Sequence, residues 1–179
     1  KGGGMPVFEV QSDATLTLTD CQNNKGKVTH ASDGSGCGVK VESGGTFNMY
    51  GGKITGNKSH AVYNENATMD LYGGEISGND TTYTDASAGA AVVLVSGSTL
   101  NMSGGTIKDN ISNTLGGGVY VKGLQSRSST MNFSGGEISG NRVNSTNDDL
   151  GFDGGGGVYV DLYATLDLSG TARISGNYA

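Results

Sequence analysis

Residues 60–79, HAVYNENATMDLYGGEISGN, contain the pattern that decides the fold. Three short runs in this stretch, AVYN, ATMDL and EISGN, alternate apolar and polar residues, which is the signature of half-buried β-strands. Glycine and asparagine separate the runs, and both residues favour tight turns. The stretch therefore predicts one coil built from three short strands.

The same pattern occurs six times along the chain. Successive copies of the threonine that opens the second run are 31, 22, 31, 31 and 35 residues apart. Because the shortest interval is about one turn, the longer copies carry insertions between coils. We expect an all-β, right-handed single-stranded parallel β-helix of about six coils, in which residues 1–179 form one domain of a longer protein. The threonines are Thr15, Thr46, Thr68, Thr99, Thr130 and Thr165.

Side-chain alternation within the runs predicts the core. Alternate residues of a strand face opposite sides of a sheet, so one set points into the shaft of the coils. Equivalent positions carry apolar side chains that can stack on one another. The predicted inward columns are Phe8/Val39/Val62/Val93/Val119/Val158, Leu16/Phe47/Met69/Leu100/Met131/Leu166, Leu18/Met49/Leu71/Met102/Phe133/Leu168 and Ile54/Ile76/Ile107/Ile138/Ile174.

Asparagine and glycine mark the predicted corners. Each ISGN-like run ends in an asparagine that can hydrogen-bond to its equivalent in the next coil and tolerates left-handed backbone. Glycine pairs follow the second run, where a positive φ is expected. The asparagines are Asn57, Asn79, Asn110, Asn141 and Asn177, and the pairs lie at 51/52, 73/74, 104/105 and 135/136.

The acidic composition narrows the classes of partner. A net charge of −6 provides no basic face to neutralise phosphates, so we expect no nucleic-acid partner. No apolar run approaches the roughly 20 residues of a membrane-spanning helix, so no membrane insertion is expected in this segment.

The cysteines and histidines indicate neither a metal site nor a cofactor. Cys21 and Cys37 lie sixteen positions apart in loop-like sequence, which leaves open a disulfide or two free thiols, and free thiols are favoured. His30 and His60 are isolated and are expected to lie exposed in loops.

The repeats resemble those of pectin-lyase-like right-handed β-helix domains in bacterial surface proteins. The segments that carry the resemblance are TLNMSGG, EISGN and GGGV at 116–119 and 155–158. GGGV is also similar to a repeat of polymorphic outer-membrane adhesins, and ISGN takes the place of their FxxN repeat with Ile instead of Phe. The resemblance implies an extracellular location, on the bacterial cell surface or secreted. It implies little about activity, since this fold serves adhesins, lyases, hydrolases and passive stalks.

Insertions at one corner are predicted to form a binding wall. Segments 80–90, 111–117 and 142–156 emerge between the third strand and the next coil. Loops on one side of a solenoid often form its binding face, and solvated loops without a ligand are the alternative. The candidate residues in these loops are Tyr83, Asp85, Asp148, Asp149, Phe152 and Asp153.

The outward column of the first strand is the second candidate. It is predicted to form an exposed aromatic strip on which sugar rings or a partner's apolar side chains stack. A tyrosine ladder that only stabilises the sheet is the structural alternative. The predicted column contains Glu9, Lys40, Tyr63, Leu94, Tyr120 and Tyr159.

These features predict a stalk or adhesin module that presents a loop-rich aromatic face to a host or microbial glycan or protein. The rival is a carbohydrate-active enzyme fragment, a glycoside hydrolase or polysaccharide lyase, with acidic residues in segments 80–90 and 142–156. Its basis is the pair Asp148-Asp149, and glycoside hydrolysis needs two carboxylates held roughly 5 to 9.5 Å apart. We therefore assign no catalytic residue. Flanking coils or a capping domain are expected to cover the apolar ends.

Overall fold

The computed structural model describes residues 4–21, 25–30, 36–81, 90–144 and 154–179, and it is a parallel β-helix. Three sheets, A, B and C, run the length of the described chain, and each contains one strand from each of six coils. No helix long and apolar enough to cross a membrane occurs in the described residues.

The strands of the four sheets are as follows. Sheet A contains β1 (Phe8–Val10), β4 (Val39–Val41), β7 (Val62–Glu65), β10 (Val92–Val95), β14 (Val119–Lys122) and β18 (Val158–Val160). Sheet B contains β2 (Thr15–Leu18), β5 (Thr46–Met49), β8 (Thr68–Leu71), β11 (Thr99–Met102), β15 (Ser129–Phe133) and β19 (Ala164–Leu168). Sheet C contains β3 (Lys27–Val28), β6 (Lys53–Thr55), β9 (Glu75–Ser77), β12 (Thr106–Lys108), β16 (Glu137–Ser139) and β20 (Arg173–Ser175). A fourth sheet pairs β13 (Ile111–Ser112) with β17 (Arg142–Val143).

The predicted core columns of sheets B and C are confirmed. Leu100 pairs with Met69 on one side and Met131 on the other, and all three side chains are fully buried. Ile107 lies between Ile76 and Ile138 in sheet C. Each shaft residue thus rests on its equivalent one coil away, which gives the dense packing that a narrow core needs.

One predicted column of sheet A is wrong in the fourth coil. Val92, and not Val93, lies between Val62 and Val119 in the shaft. Val93 therefore faces outward, and Leu94, which was predicted outward, is inside and fully buried. The error arises because the run AVVLV is apolar at every position, so alternation contains no information about which side faces the shaft.

The asparagine stack is confirmed as a continuous hydrogen-bonded ladder. Asn79 Nδ2 donates to Asn110 Oδ1 at 2.9 Å, and Asn110 Nδ2 donates to Asn141 Oδ1 at 2.8 Å. The positive φ of this corner falls one residue before the asparagine, as at Gly78 (61°) and Asp109 (54°). That earlier residue needs no inward side chain, whereas the asparagine amide must reach into the ladder.

The glycine pairs form the corner between sheets B and C, as predicted. The second glycine of each pair has a positive φ, 88° at Gly74 and 75° at Gly105. The first glycine has no room for a side chain, since a Cβ on Gly104 would lie 2.3 Å from the Tyr72 carbonyl oxygen. Close stacking of the corners therefore requires both glycines.

The last described coil is open on its outer side. Leu168 is 56% exposed and Ile174 is 41% exposed, although Phe133 and Ile138, their equivalents in the preceding coil, are fully buried. The expected flanking coil or capping domain would cover these side chains, and it stays a prediction.

Candidate binding site

The outward column of sheet A brings the predicted tyrosines onto one face. Glu9, Lys40 and Tyr63 pair in register in the first three coils. Val93 follows in the place predicted for Leu94, and Tyr120 and Tyr159 complete the column. Parallel pairing thus places all three candidate tyrosines in a single line.

Burial corrects the prediction that this line is an exposed strip. Tyr120 is only 4% exposed, and it forms a second apolar cluster with Ala90, Val93 and Leu115. Tyr63 and Tyr159 are half-buried against this cluster. Leu115 belongs to the predicted insertion 111–117, so that insertion packs over the Tyr120 end of the strip.

The environment of Tyr120 fits a structural role. Its hydroxyl donates to Asp161 Oδ2 at 2.6 Å, and Lys122 Nζ lies 3.3 Å from the same oxygen. Its ring stacks on Tyr159 with centroids 5.9 Å apart. Burial and the hydrogen bond to Asp161 both raise the pKa of Tyr120. Burial opposes ionisation of Asp161, but hydrogen bonds from Tyr120, the Leu162 N–H and Lys122 outweigh it and lower the pKa of Asp161.

The other half of the face is an open groove of about 590 Å³. It lies over the first three coils, and Tyr63 is the aromatic side chain in its lining. The polar groups around it are Glu9, Lys40, Ser59, His60 and Glu65, and residues 4–6 and 36–37 complete the lining. Its volume falls within the range of small-ligand pockets, while its lining is more polar than is usual for them.

Charges of both signs line this groove. Lys40 Nζ lies 2.5 Å from Glu42 Oε1, and this hydrogen bond raises the pKa of Lys40. Glu9 and Glu65 add two carboxylates to the lining. The groove can therefore both donate to and accept from a ligand with many hydroxyl groups.

His60 is buried beside Tyr63, so the prediction of an exposed loop histidine is wrong. His60 Nδ1 lies 2.9 Å from the Ala90 carbonyl oxygen, and because a carbonyl only accepts, Nδ1 must carry the proton. Burial lowers the pKa of His60, so the ring is neutral near pH 7. Nε2 is then an acceptor, and no hydrogen bond to it occurs within the described residues. The imidazole also lies against Tyr63, with ring centroids 5.6 Å apart.

The thiols of Cys21 and Cys37 are free, as favoured from the sequence. Burial raises the pKa of Cys37 to about 11, so its sulfur is a thiol at neutral pH and a poor nucleophile. His30 is half-buried and its Nε2 lies 3.0 Å from the Cys37 carbonyl oxygen, so it is not the exposed side chain that was predicted. Among the described residues, no group of three or more His, Cys, Asp or Glu side chains could hold a metal ion.

The remaining predicted binding residues lie outside the described residues. They are Tyr83, Asp85, Asp148, Asp149, Phe152 and Asp153. The loop wall and the acidic site of the rival enzyme hypothesis therefore stay predictions.

Sequence reasoning missed His60 and Glu65 as groove residues. Both belong to the coil that contains Tyr63, one just before the first run and one at its end. A search of the outward positions next to each candidate tyrosine would have found Glu65. No pattern indicates that the His60 ring turns toward the Ala90 carbonyl.

No family model matches this chain, and neither a curated protein nor a solved structure matches it. The resemblance to pectin-lyase-like and adhesin repeats accordingly stays a prediction from the repeat motifs.

Proposed function

We propose that this chain is a rigid binding module of an exported bacterial surface protein, and that the groove of sheet A binds a glycan. The observation that carries the proposal is the groove itself, in which the Tyr63 ring lies among Glu9, Lys40, Glu65 and neutral His60. A sugar ring has an apolar face and a rim of hydroxyls, so it needs an aromatic surface next to donors and acceptors.

The coil architecture supports the stalk part of the proposal. Six coils at about 4.8 Å each form a rod of roughly 29 Å, and every coil is held by three parallel ladders. Side chains on such ladders have fixed spacing, so a ligand finds the groove preorganised. A rigid rod with a preformed site is suited to presenting a ligand-binding surface away from a cell.

The chemistry of the groove favours binding over catalysis. The Cys37 thiol is protonated at neutral pH, and in the part of the chain that the structure describes no nucleophilic side chain hydrogen-bonds to His60 Nε2. The carboxylates of the rival enzyme hypothesis belong to segments outside the described residues. A turnover assay on the same protein therefore tests that rival.

The proposal is tested by glycan-array binding followed by calorimetry on the array hits. Tyr63→Ala should weaken binding about tenfold, the loss of one stacking contact of about 1.4 kcal/mol. Tyr178→Ala is the matched control, since Tyr178 is exposed in the last coil and should bind as the original chain does. Unchanged binding in Tyr63→Ala, or a silent array, would contradict the proposal. Release of reducing sugar would support the enzyme instead.

A further inference from the structure

A second aromatic feature lies on a different face of the solenoid, at the corner where sheet B leads into sheet C. Tyr50 and Tyr72 immediately follow β5 and β8 and point outward, 54% and 46% exposed. Their rings stack with centroids 4.5 Å apart and an angle of 13° between planes. Neither residue was a candidate from the sequence.

The tyrosine stack ends abruptly at Tyr72. The equivalent residues of the next two coils are Ser103 and Ser134, and both are exposed. Neighbouring coils are about 4.8 Å apart, so the face of the Tyr72 ring that is turned away from Tyr50 borders an open space above Ser103. We call this change from Tyr72 to Ser103 the step. The spacing of one coil at this step is about equal to the separation between the centroids of two stacked rings, 4.5 Å or slightly more.

Next to this step, the outer surface of sheet B presents a row of hydrogen-bonded polar side chains. Asn101 Nδ2 donates to Asp70 Oδ1 at 2.7 Å, and Asn132 Nδ2 donates to Asn101 Oδ1 at 2.8 Å. These residues are two positions before Tyr72, Ser103 and Ser134 on their strands, so they share the outward face. Each asparagine amide has a second N–H that these bonds do not use.

The charges around the step and the row of polar side chains favour a neutral ligand. The Asp70 carboxylate is close enough to raise the pKa of Tyr72 by its charge. β9 of sheet C, which follows Tyr72 in the same coil, presents Glu75, whose oxygens lie 3.1 Å from Lys53 Nζ and 3.5 Å from Lys108 Nζ. An acidic polymer would therefore approach a carboxylate, and the nearby lysines are already paired.

We propose that the Tyr72 ring face and the Asn101–Asn132 row form a second carbohydrate site, which takes a pyranose ring of a neutral polysaccharide. The pyranose ring lies one coil beyond Tyr72, above Ser103. Its apolar C–H face contacts the tyrosine, and its hydroxyls meet the Ser103 hydroxyl and the Asn101 amide. This site does not depend on the groove of sheet A, which is on another face.

The test is calorimetry with cellohexaose and mannohexaose as neutral probes and hexagalacturonate as the acidic probe. We expect at least one neutral probe to bind and the acidic probe not to. Tyr72→Ala should weaken binding about tenfold and Tyr72→Phe by less than about twofold, because the phenyl face remains. Ser103→Ile should weaken binding by a similar factor, because it fills the step at an exposed position while the melting temperature stays the same.

Tyr178→Ala is again the matched control. A loss in Tyr72→Ala that is absent in Tyr63→Ala assigns the neutral glycan to this site, whatever the groove binds. A loss only in Tyr63→Ala overturns this inference and supports the groove. The inference is also overturned if neither neutral probe binds, if hexagalacturonate binds as well as they do, or if Tyr72→Ala lowers only the melting temperature.

Discussion

Tyr63 and Tyr120 occupy equivalent positions two coils apart on sheet A, yet one borders an open groove and the other is buried. Their strands have the same direction, register and facing. The difference comes from what lies above them, since Leu115 of the insertion between coils packs over Tyr120. In this solenoid the ladder fixes where a side chain points, and the corner insertions decide whether a ligand can reach it.

The largest expected effect is the difference in stability between alanine substitutions at these two tyrosines. Tyr120→Ala should lower the free energy of unfolding by about 3 to 5 kcal/mol, because it empties a buried aromatic site. Tyr63→Ala should cost about 1 kcal/mol, since the ring is half-exposed. Urea denaturation measures both values, and equal losses would contradict the contrast between the two halves.

Removing the Leu115 side chain should make the Tyr120 ring accessible to solvent, as the Tyr63 ring is. Leu115→Ala should cost about 2 kcal/mol and expose the Tyr120 ring. Nitration followed by peptide mass spectrometry should then modify Tyr120 in the variant but not in the original chain, while Tyr63 reacts in both. A Tyr120 that reacts equally in both proteins would show that Leu115 is not the cover.

The two halves should also differ in their response to pH. Burial lowers the pKa of His60, so the unfolded chain binds this proton more tightly than the folded chain. Stability is therefore full above about pH 6.5 and falls as the pH drops below that value. His60→Gln should flatten this part of the curve, between pH 7 and 5.

Asp161→Asn is the matched comparison in the covered half. In the original chain, the lowered pKa of Asp161 stabilises the fold above about pH 3.9, and this stabilisation is lost as the pH falls below that value. The Asp161→Asn variant should therefore keep the slope of stability against pH between pH 7 and 5. Thermal melts at each pH give both curves. A slope that disappears in Asp161→Asn and persists in His60→Gln would reverse the assignment.

Most of the shaft could be predicted because its period is strict. Wherever a run alternates, as in TLNM at 99–102, the inward residues follow directly, and Leu100 and Met102 are buried as expected. The failure at Val93 and Leu94 has a physical origin, since that strand is buried on both faces and its run carries no alternation. Alternation of apolar and polar residues predicts which side chains point inward only where one face of the sheet is exposed to water.

The candidate sites were harder to predict than the core. The groove combines residues of three coils with residues 4–6, and only the register brings them together. The burial of Tyr120 depends on Leu115, one apolar residue among the small and polar residues that precede the fifth coil. Such contacts between an insertion and a sheet have no period, so the sequence alone contains no signal for them.

Engineered disulfides test the central claim, the parallel in-register stacking of coils, most directly. In a background with Cys21→Ser and Cys37→Ala, Thr99→Cys with Thr130→Cys places two cysteines at paired outward positions. Neighbouring strands about 4.8 Å apart allow a disulfide there, whereas Thr99→Cys with Asn132→Cys is offset by two residues along the strand. Mass spectrometry after mild oxidation should find the first bond formed quantitatively and the second poorly. Equal formation of both bonds, or failure of the first, would contradict the stacking on which both sites depend.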